Sequence, residues 1–421
     1  MKANPGGNLD PDKVYGRDQI IALLWERLEF QSILMNAERR IGKTQILRKM
    51  LAEPKTGWKP VFRDLERVHS AQEFAELVYD DVQQFLGTGT KAKNFIQKIL
   101  EDNENEYVKI KGRTWKRLLI SAVEDLMKAQ RNEQLVFFWD EVPYMLESIR
   151  KKDGPEIAAE VLDTLRSLRI EQERFRMIFT GSIGLHHVLG KLSAAGIPTS
   201  AKNDMFPVTV TPLAPLDAER LAADLLEGEK ITCDNLAEAA ATIAEEVDYF
   251  PFYVHHIVAG LRIEQLSATE NNIKDFVARQ LVDASDPWQL AHYRTRLSTY
   301  YPDNDDARNA AIILDVLGTE TEISGARFHR AGHVINVPHV QKTTVISAPV
   351  LTHTDDSADS LSVDEILELA STRRSTVQDR DDLLRLLRLM DADHYLSRDT
   401  DGGYRFRFPL IGRWWKLDRG L

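Results

Sequence analysis

The chain has a single cysteine, Cys233, so it can form neither an internal disulfide nor a multi-cysteine zinc site. It has no apolar run approaching the ~20 residues that span a bilayer. Its opening residues, "MKANPGGNLDPDK", have no apolar segment of the kind a secretory signal needs. These absences predict a protein of the reducing cytoplasm, without membrane partners. There is also no excess of positive charge. The formal net charge of −11 argues against a protein that coats nucleic acid with its whole surface. A local basic patch stays open, because screening confines charge effects to about 8–10 Å. No internal repeat is visible.

What is present is an ordinary globular composition, 43% hydrophobic and 28% charged over 421 residues, enough for two or three domains. Residues 1–13, with Pro5, Gly6, Gly7 and Pro11, read as an extended lead-in. From 14 to 215, short apolar runs alternate with helix-periodic stretches. The runs are "SILM", "PVFRDL", "LVFFWDE", "RMIFTGS" and "FPVTVTPL". This alternation predicts an α/β core with a mostly parallel sheet and helices on both faces. The lysine-rich segment 87–115 is expected to be a surface excursion between the second and third strands. From 216 to 317 the strands stop and amphipathic helices take over, as an all-α module. Residues 318–421 are expected to form a winged-helix-like domain with an irregular insert at about 318–360. In it two helices precede a hairpin, "YRFRFPLIGRWW", that turns at "DTDGG".

Between the first strand and a helix lies "NAERRIGKT". A phosphate-binding loop follows a strand, exposes backbone N–H groups and opens a helix whose positive end faces the anion. Lys43 and Thr44 stand where a phosphate-binding lysine and a metal-ligating hydroxyl belong. Ala37 occupies the place of the usual first glycine, and Arg39 and Arg40 lie within the loop. A bare "GKT" can also simply open a helix, so the rest of the machinery decides. About one hundred residues on, "LVFFWDE" carries a buried strand into two carboxylates. Asp140 is suited to hold Mg²⁺, and Glu141 to orient and deprotonate an attacking water. A strand that merely exits into solvent also ends in charges. The two motifs in one chain favour a nucleotide site.

These residues resemble the AAA+/STAND group of P-loop ATPases, and within it the archaeal-type and origin-recognition-like ATPases, over roughly residues 13–290. "VYGRDQIIALLWERL" resembles the group's amino-terminal box, a turn and helix over the adenine, which implies a nucleotide-binding role for Arg17. "AERRIGKT" resembles its phosphate loop, so Ala37, Arg39, Arg40, Ile41, Gly42, Lys43, Thr44 and Gln45 are implied to line the nucleotide. "RMIFTGS" resembles the sensor strand, with either Thr180 or Ser182 as the residue that feels the γ-phosphate. "FPVTVTPLAPLDAERLAADLL" resembles the last core strand entering a helical lid. The lid's Gly-x-Pro element appears as "YFP", with Pro251 retained and Tyr249 in the glycine's place. Pro251 either packs on the adenine or simply starts a helix.

The resemblance implies ATP and Mg²⁺ bound between core and lid, with Lys43, Glu141 and Thr180 or Ser182 in catalysis and Thr44 and Asp140 on the metal. Arg166, Arg169, Arg174 and Arg176 lie where an arginine finger occurs in such proteins, which would imply a homo-oligomer; a solvated helix end is the plainer reading. At the carboxyl end, aromatics alternate with Arg405, Arg407, Arg413, Lys416 and Arg419. This pattern fits a wing that touches DNA phosphate, but Asp379, Asp381, Asp382, Asp391 and Asp393 on the preceding helix would repel it. Docking to a protein partner is the competing reading. His329, His333 and His339 lack a helix that would align them as metal ligands, and the adjacent pairs His186/His187 and His255/His256 should diverge. The expectation is therefore an ATP-binding and hydrolysing switch of a defence or regulatory system that couples ATP or ADP to domain orientation and a protein partner. A DNA-binding ATPase of origin-recognition or transposition-regulator type and a non-hydrolysing scaffold are the alternatives.

Overall fold

The computed structural model describes residues 1–87, 114–129, 133–182, 184–301, 304–321 and 360–421. Most of the lysine-rich excursion and of the 318–360 insert, with His329, His333 and His339, lies outside the described residues. The chain divides into two compact units: Ile20–Ala37 with Lys43–Val210, and Met1–Gln19, Glu38–Gly42 and Thr211–Leu421.

The first unit contains all five strands expected for the core: β1 (Ile33–Ala37), β2 (Trp58–Asp64), β3 (Gln134–Asp140), β4 (Arg176–Phe179) and β5 (Phe206–Val210). They form one sheet in the order β2-β3-β4-β1-β5, and every neighbouring pair is parallel. β4 therefore separates the strand that leads into the loop 38–42 from the strand that ends in Asp140. A parallel sheet is covered on both faces, which is why β3 is apolar on both sides rather than alternating. Phe138 faces Trp25 of α1 (Asp18–Leu28), with ring centroids 5.9 Å apart. Its neighbour Trp139 faces the opposite way and meets Phe74 of α3 (Ala71–Leu86) edge-on at 5.1 Å. α2 (Lys43–Ala52) follows directly on the loop 38–42. The second face is filled from α3, α4 (Thr114–Lys128), α5 (Val142–Lys152) and α6 (Pro155–Glu171). α7 (Leu185–Ala194) adds Leu185, Val188 and Leu192 to it. Fully burying each large apolar side chain contributes about 1.5–3 kcal/mol.

In the second unit the chain is helical: α8 (Pro215–Glu229), α9 (Leu236–Glu246), α10 (Pro251–Ile263), α11 (Glu270–Val282), α12 (His292–Tyr300) and α13 (Asn304–Glu320). Then come α14 (Val363–Thr372), α15 (Arg380–Ala392) and the antiparallel hairpin β6 (Leu396–Arg398)–β7 (Tyr404–Phe406). The hairpin turns at the expected "DTDGG", where Gly402 takes φ +90°. The expectation for the tail is corrected. "PLIGRWW" does not prolong the hairpin but forms α16 (Pro409–Arg419), with Pro409 in its first turn. Leu410, Ile411, Trp414 and Trp415 recur at helical spacing and all are buried. The tryptophans are thus core residues, and Trp415 donates its indole N–H to Asp315 of α13 at 2.9 Å. α16 packs against the helices before it: Phe408 meets Phe250 edge-on at 4.8 Å, and the Leu410 amide donates to buried Asp248 at 2.7 Å.

The lead-in runs along these helices, with the Ala3 amide donating to Glu229 and the Asn4 amide to His255 Nδ1. The rings of His186 and His187 do not diverge but lie 4.3 Å apart. Among the described residues no helix is long and apolar enough to cross a membrane.

Candidate functional site

In the first unit the carboxyl ends of β1, β3 and β4 converge. Lys43 opens α2, is buried, and donates its ammonium to the carbonyl of Ala37 at 2.9 Å. Thr44 follows in the same turn, and its hydroxyl donates to Asp140 Oδ2 at 2.8 Å. Ninety-six residues of sequence separation are thus closed by one hydrogen bond between the hydroxyl and the carboxylate expected on the metal. Both are hard oxygen donors, and they adjoin, so the pair fits a Mg²⁺ ion. Burial raises the Asp140 pKa, and the Thr44 bond and the nearby Lys43 charge oppose that rise.

Glu141 lies just beyond the strand in the left-handed region, φ 58°, immediately before α5. The conformation costs on the order of 1 kcal/mol and turns the carboxylate back towards the end of β4. There the Ser182 amide donates to both of its oxygens at 3.0 Å, and the Ser182 hydroxyl to one at 2.9 Å. Burial raises the Glu141 pKa, the Asp140 charge adds to this, and the Ser182 donors hold it back. The two polar residues expected to sense the γ-phosphate are therefore distinguished. Ser182 is engaged with Glu141. Thr180 is bound through its backbone, its N–H to Trp139 and its carbonyl from the Val142 amide, while its hydroxyl is buried without a hydrogen-bond partner.

In the second unit lie the loop residues Glu38–Gly42. β1 runs on through Ala37, one residue past the start expected for the loop, and Ala37 pairs in register with Val210. Ala37 is absent from the residues with positive φ, so its methyl group meets no backbone penalty. Left-handed backbone occurs later, at Arg40 (φ 68°) and Gly42 (φ 99°). Arg17 is buried and donates to the carbonyls of Ile41 at 2.7 Å and Thr211 at 2.9 Å. Burial pushes its pKa down to about 10. It holds the loop's backbone in place. Arg40 lies over the Phe252 ring at 3.9 Å and bonds to Gln289. Arg39 is exposed and Gln45 half-buried. Pro251 begins α10 behind two left-handed residues, Asp248 (φ 49°) and Tyr249 (φ 61°). Tyr249 thus has the backbone conformation that a glycine there would adopt freely.

Of the four arginines considered as fingers, two are internal. Arg169 forks onto Asp204 at 2.7 and 2.9 Å, and Arg176 donates to the carbonyls of Leu28 and Phe30 at the end of α1. Sequence reasoning did not single out Glu38, a buried carboxylate inside the loop, or Arg296, which pairs with it at 2.9 Å. The two are 258 residues apart, and nothing local marks either one.

No protein-family model matches the sequence, and no curated protein sequence matches it. Solved structures do match in fold. A Walker-type ATPase of Pyrococcus abyssi superposes with TM-score 0.62 at 14% identity, over 99% of this chain and 100% of that one. The ORC2 protein of Aeropyrum pernix, in ADPNP–ADP complexes, superposes with TM-score 0.50 at 11% identity, over 99% and 96%. The chain has the fold of a P-loop ATPase, as these two structures do.

Proposed function

We propose that the protein binds ATP at the loop 37–44 and hydrolyses it, using nucleotide state to switch its engagement of a protein partner. The observation that carries this reading is the pairing of Thr44 with Asp140 beside a Glu141 held by Ser182. A structural strand end does not need a strained glutamate with two donors making three hydrogen bonds to its carboxylate. In this reading Lys43 and the α2 N-terminus bind phosphate. Thr44 and Asp140 would hold Mg²⁺, which neutralises phosphate charge when bound. Glu141 accepts the proton of the attacking water, and the Thr180 hydroxyl donates to the γ-phosphate. The solved structures of this fold include one described as an ATPase and one described as complexed with ADPNP and ADP, which supports a nucleotide ligand.

Purified protein should bind ATP and release phosphate. Lys43→Ala should abolish binding, whereas Glu141→Gln should bind ATP and lose about 10²–10⁴-fold in turnover, the usual worth of a general base. Equal turnover by Glu141→Gln and wild type would remove the hydrolytic reading and favour a nucleotide-stabilised scaffold. DNA binding through the tail is the second reading, and the tail's own chemistry weighs against it. Arg405 pairs with Asp399, Arg407 with Asp391 and Arg413 with Glu246, all at 2.6–2.7 Å.

A further inference from the structure

Glu38 is an unexpected residue for a phosphate loop, because a carboxylate there repels the anion the loop is built to receive. It is 2% exposed, and one of its oxygens accepts from the Arg39 amide at 2.7 Å and from Arg296 Nη1 at 2.9 Å. Arg296 lies on α12, beyond the lid helices, and its other terminal nitrogen donates to the backbone carbonyl of Asp393 at 2.8 Å. The Asp393 carboxylate lies 3.9 Å away. Asp393 ends α15 and leads into the hairpin. The guanidinium is roofed by Tyr293 and Tyr395, at 5.7 and 5.2 Å, and the Tyr395 hydroxyl donates to the Tyr293 carbonyl at 2.6 Å. Removing either partner of a buried ion pair leaves the other charge unpaired, so the three segments are constrained to move together.

We infer that Arg296 is a positioning residue that sets nucleotide affinity by neutralising Glu38 and couples the loop to the α15–β6 corner. One guanidinium serves both ends. Its charge balances the carboxylate of Glu38 within the loop, and its fork fixes the backbone at Asp393. Phosphate entering the loop changes the field at Glu38, and that change reaches the corner through Arg296. A partner docking at the corner shifts nucleotide affinity by the same factor, as linkage requires. The inference rests on the proposal that the loop binds ATP.

The test measures ATP affinity of wild type, Arg296→Met, Glu38→Gln, the double variant and Arg296→Lys, with amide hydrogen exchange at residues 393–396 read with and without ATP. Arg296→Met should weaken ATP binding on the order of 10–100-fold, and adding Glu38→Gln should restore most of it. A helix-packing role would leave the double variant as weak as Arg296→Met. Arg296→Lys keeps the charge but not the fork, so it should bind ATP nearly as wild type does while exchange at 393–396 no longer responds. Wild type should show that response. If ATP binds wild type without changing exchange there, or binds Arg296→Met unimpaired, the coupling is overturned and the proposed function stands. If wild type binds no ATP, both fall.

Discussion

At the scale of single residues, the chemistry turns on how backbone conformation and burial set each side chain's state. Ser182 donates to the charged form of Glu141 and so lowers a pKa that burial has raised. Ser182→Ala removes the hydroxyl donor and keeps the amide. The Glu141 pKa should then rise further. In the proposed reaction turnover requires the ionised carboxylate, so the acid limb of kcat against pH should move to higher pH. The neutral-pH rate should fall several-fold with ATP affinity unchanged, and steady-state kinetics between pH 5 and 9 would show it. An unmoved limb would mean that Glu141 is not the group titrating. Ala37 allows a second test. Since its φ is ordinary, Ala37→Gly should give no gain in ATP affinity and should cost about 0.5–1 kcal/mol of stability, as glycine does in a strand. Affinity that rises tenfold would show that the methyl group obstructs the loop.

Elements were legible in the sequence to the extent that their signal is local. All five strands could be read from short apolar runs: β1, β3 and β4 are buried on both faces and nearly unbroken, while β5, at the sheet's edge, alternates buried and exposed residues. The tail was misread from an equally local signal. "YRFRF" alternates, and the eye carries that period onward, although Pro409 resets it to a helix. At the candidate site, Lys43, Thr44, Asp140 and Glu141 could be named because motif spacing marks them. The ties from Ser182 to Glu141 and from Arg296 to Glu38 could not, because each is a tertiary contact that no local pattern pairs, even where the residues themselves lie in motifs. Asp248 belongs with these. It is buried where α10 meets α16, accepts from the Leu410 amide, and burial lifts its pKa to about 7. The folded state therefore holds a proton that the unfolded chain, with an ordinary carboxylate near 4, has released. Between about pH 4 and 7 stability should fall as pH rises, by up to ~1.4 kcal/mol per pH unit from this group. Asp248→Asn keeps an acceptor for Leu410 without the charge. It should match wild type near pH 4 and exceed it by a few kcal/mol at pH 8 in urea unfolding.

For the whole molecule, a net charge of −11 makes the placement of its cations the deciding question for nucleic acid. Affinity for duplex DNA comes largely from cations that neutralise phosphates and release counterions, so it needs arginines with no carboxylate of their own. In the carboxyl-terminal module four arginines at the end of the chain, Arg405, Arg407, Arg413 and Arg419, are committed internally. Arg407 bonds to Asp391 and to the Leu396 carbonyl, Arg413 to the Glu246 carboxylate and carbonyl, and Arg419 forks onto Asp315. These contacts fasten the hairpin and α16 to the helices before them, so their loss should appear as stability rather than as recognition. The triple variant Arg405→Ala, Arg407→Ala, Arg413→Ala should lose about 1–3 kcal/mol, a few degrees in Tm. Duplex DNA affinity, weak in wild type, should change little between 50 and 200 mM salt. Tight wild-type binding with a steep salt slope, abolished in the triple variant at unchanged Tm, would show instead that these arginines leave their carboxylates for phosphate. That result would transfer the switch's output from a protein partner to DNA.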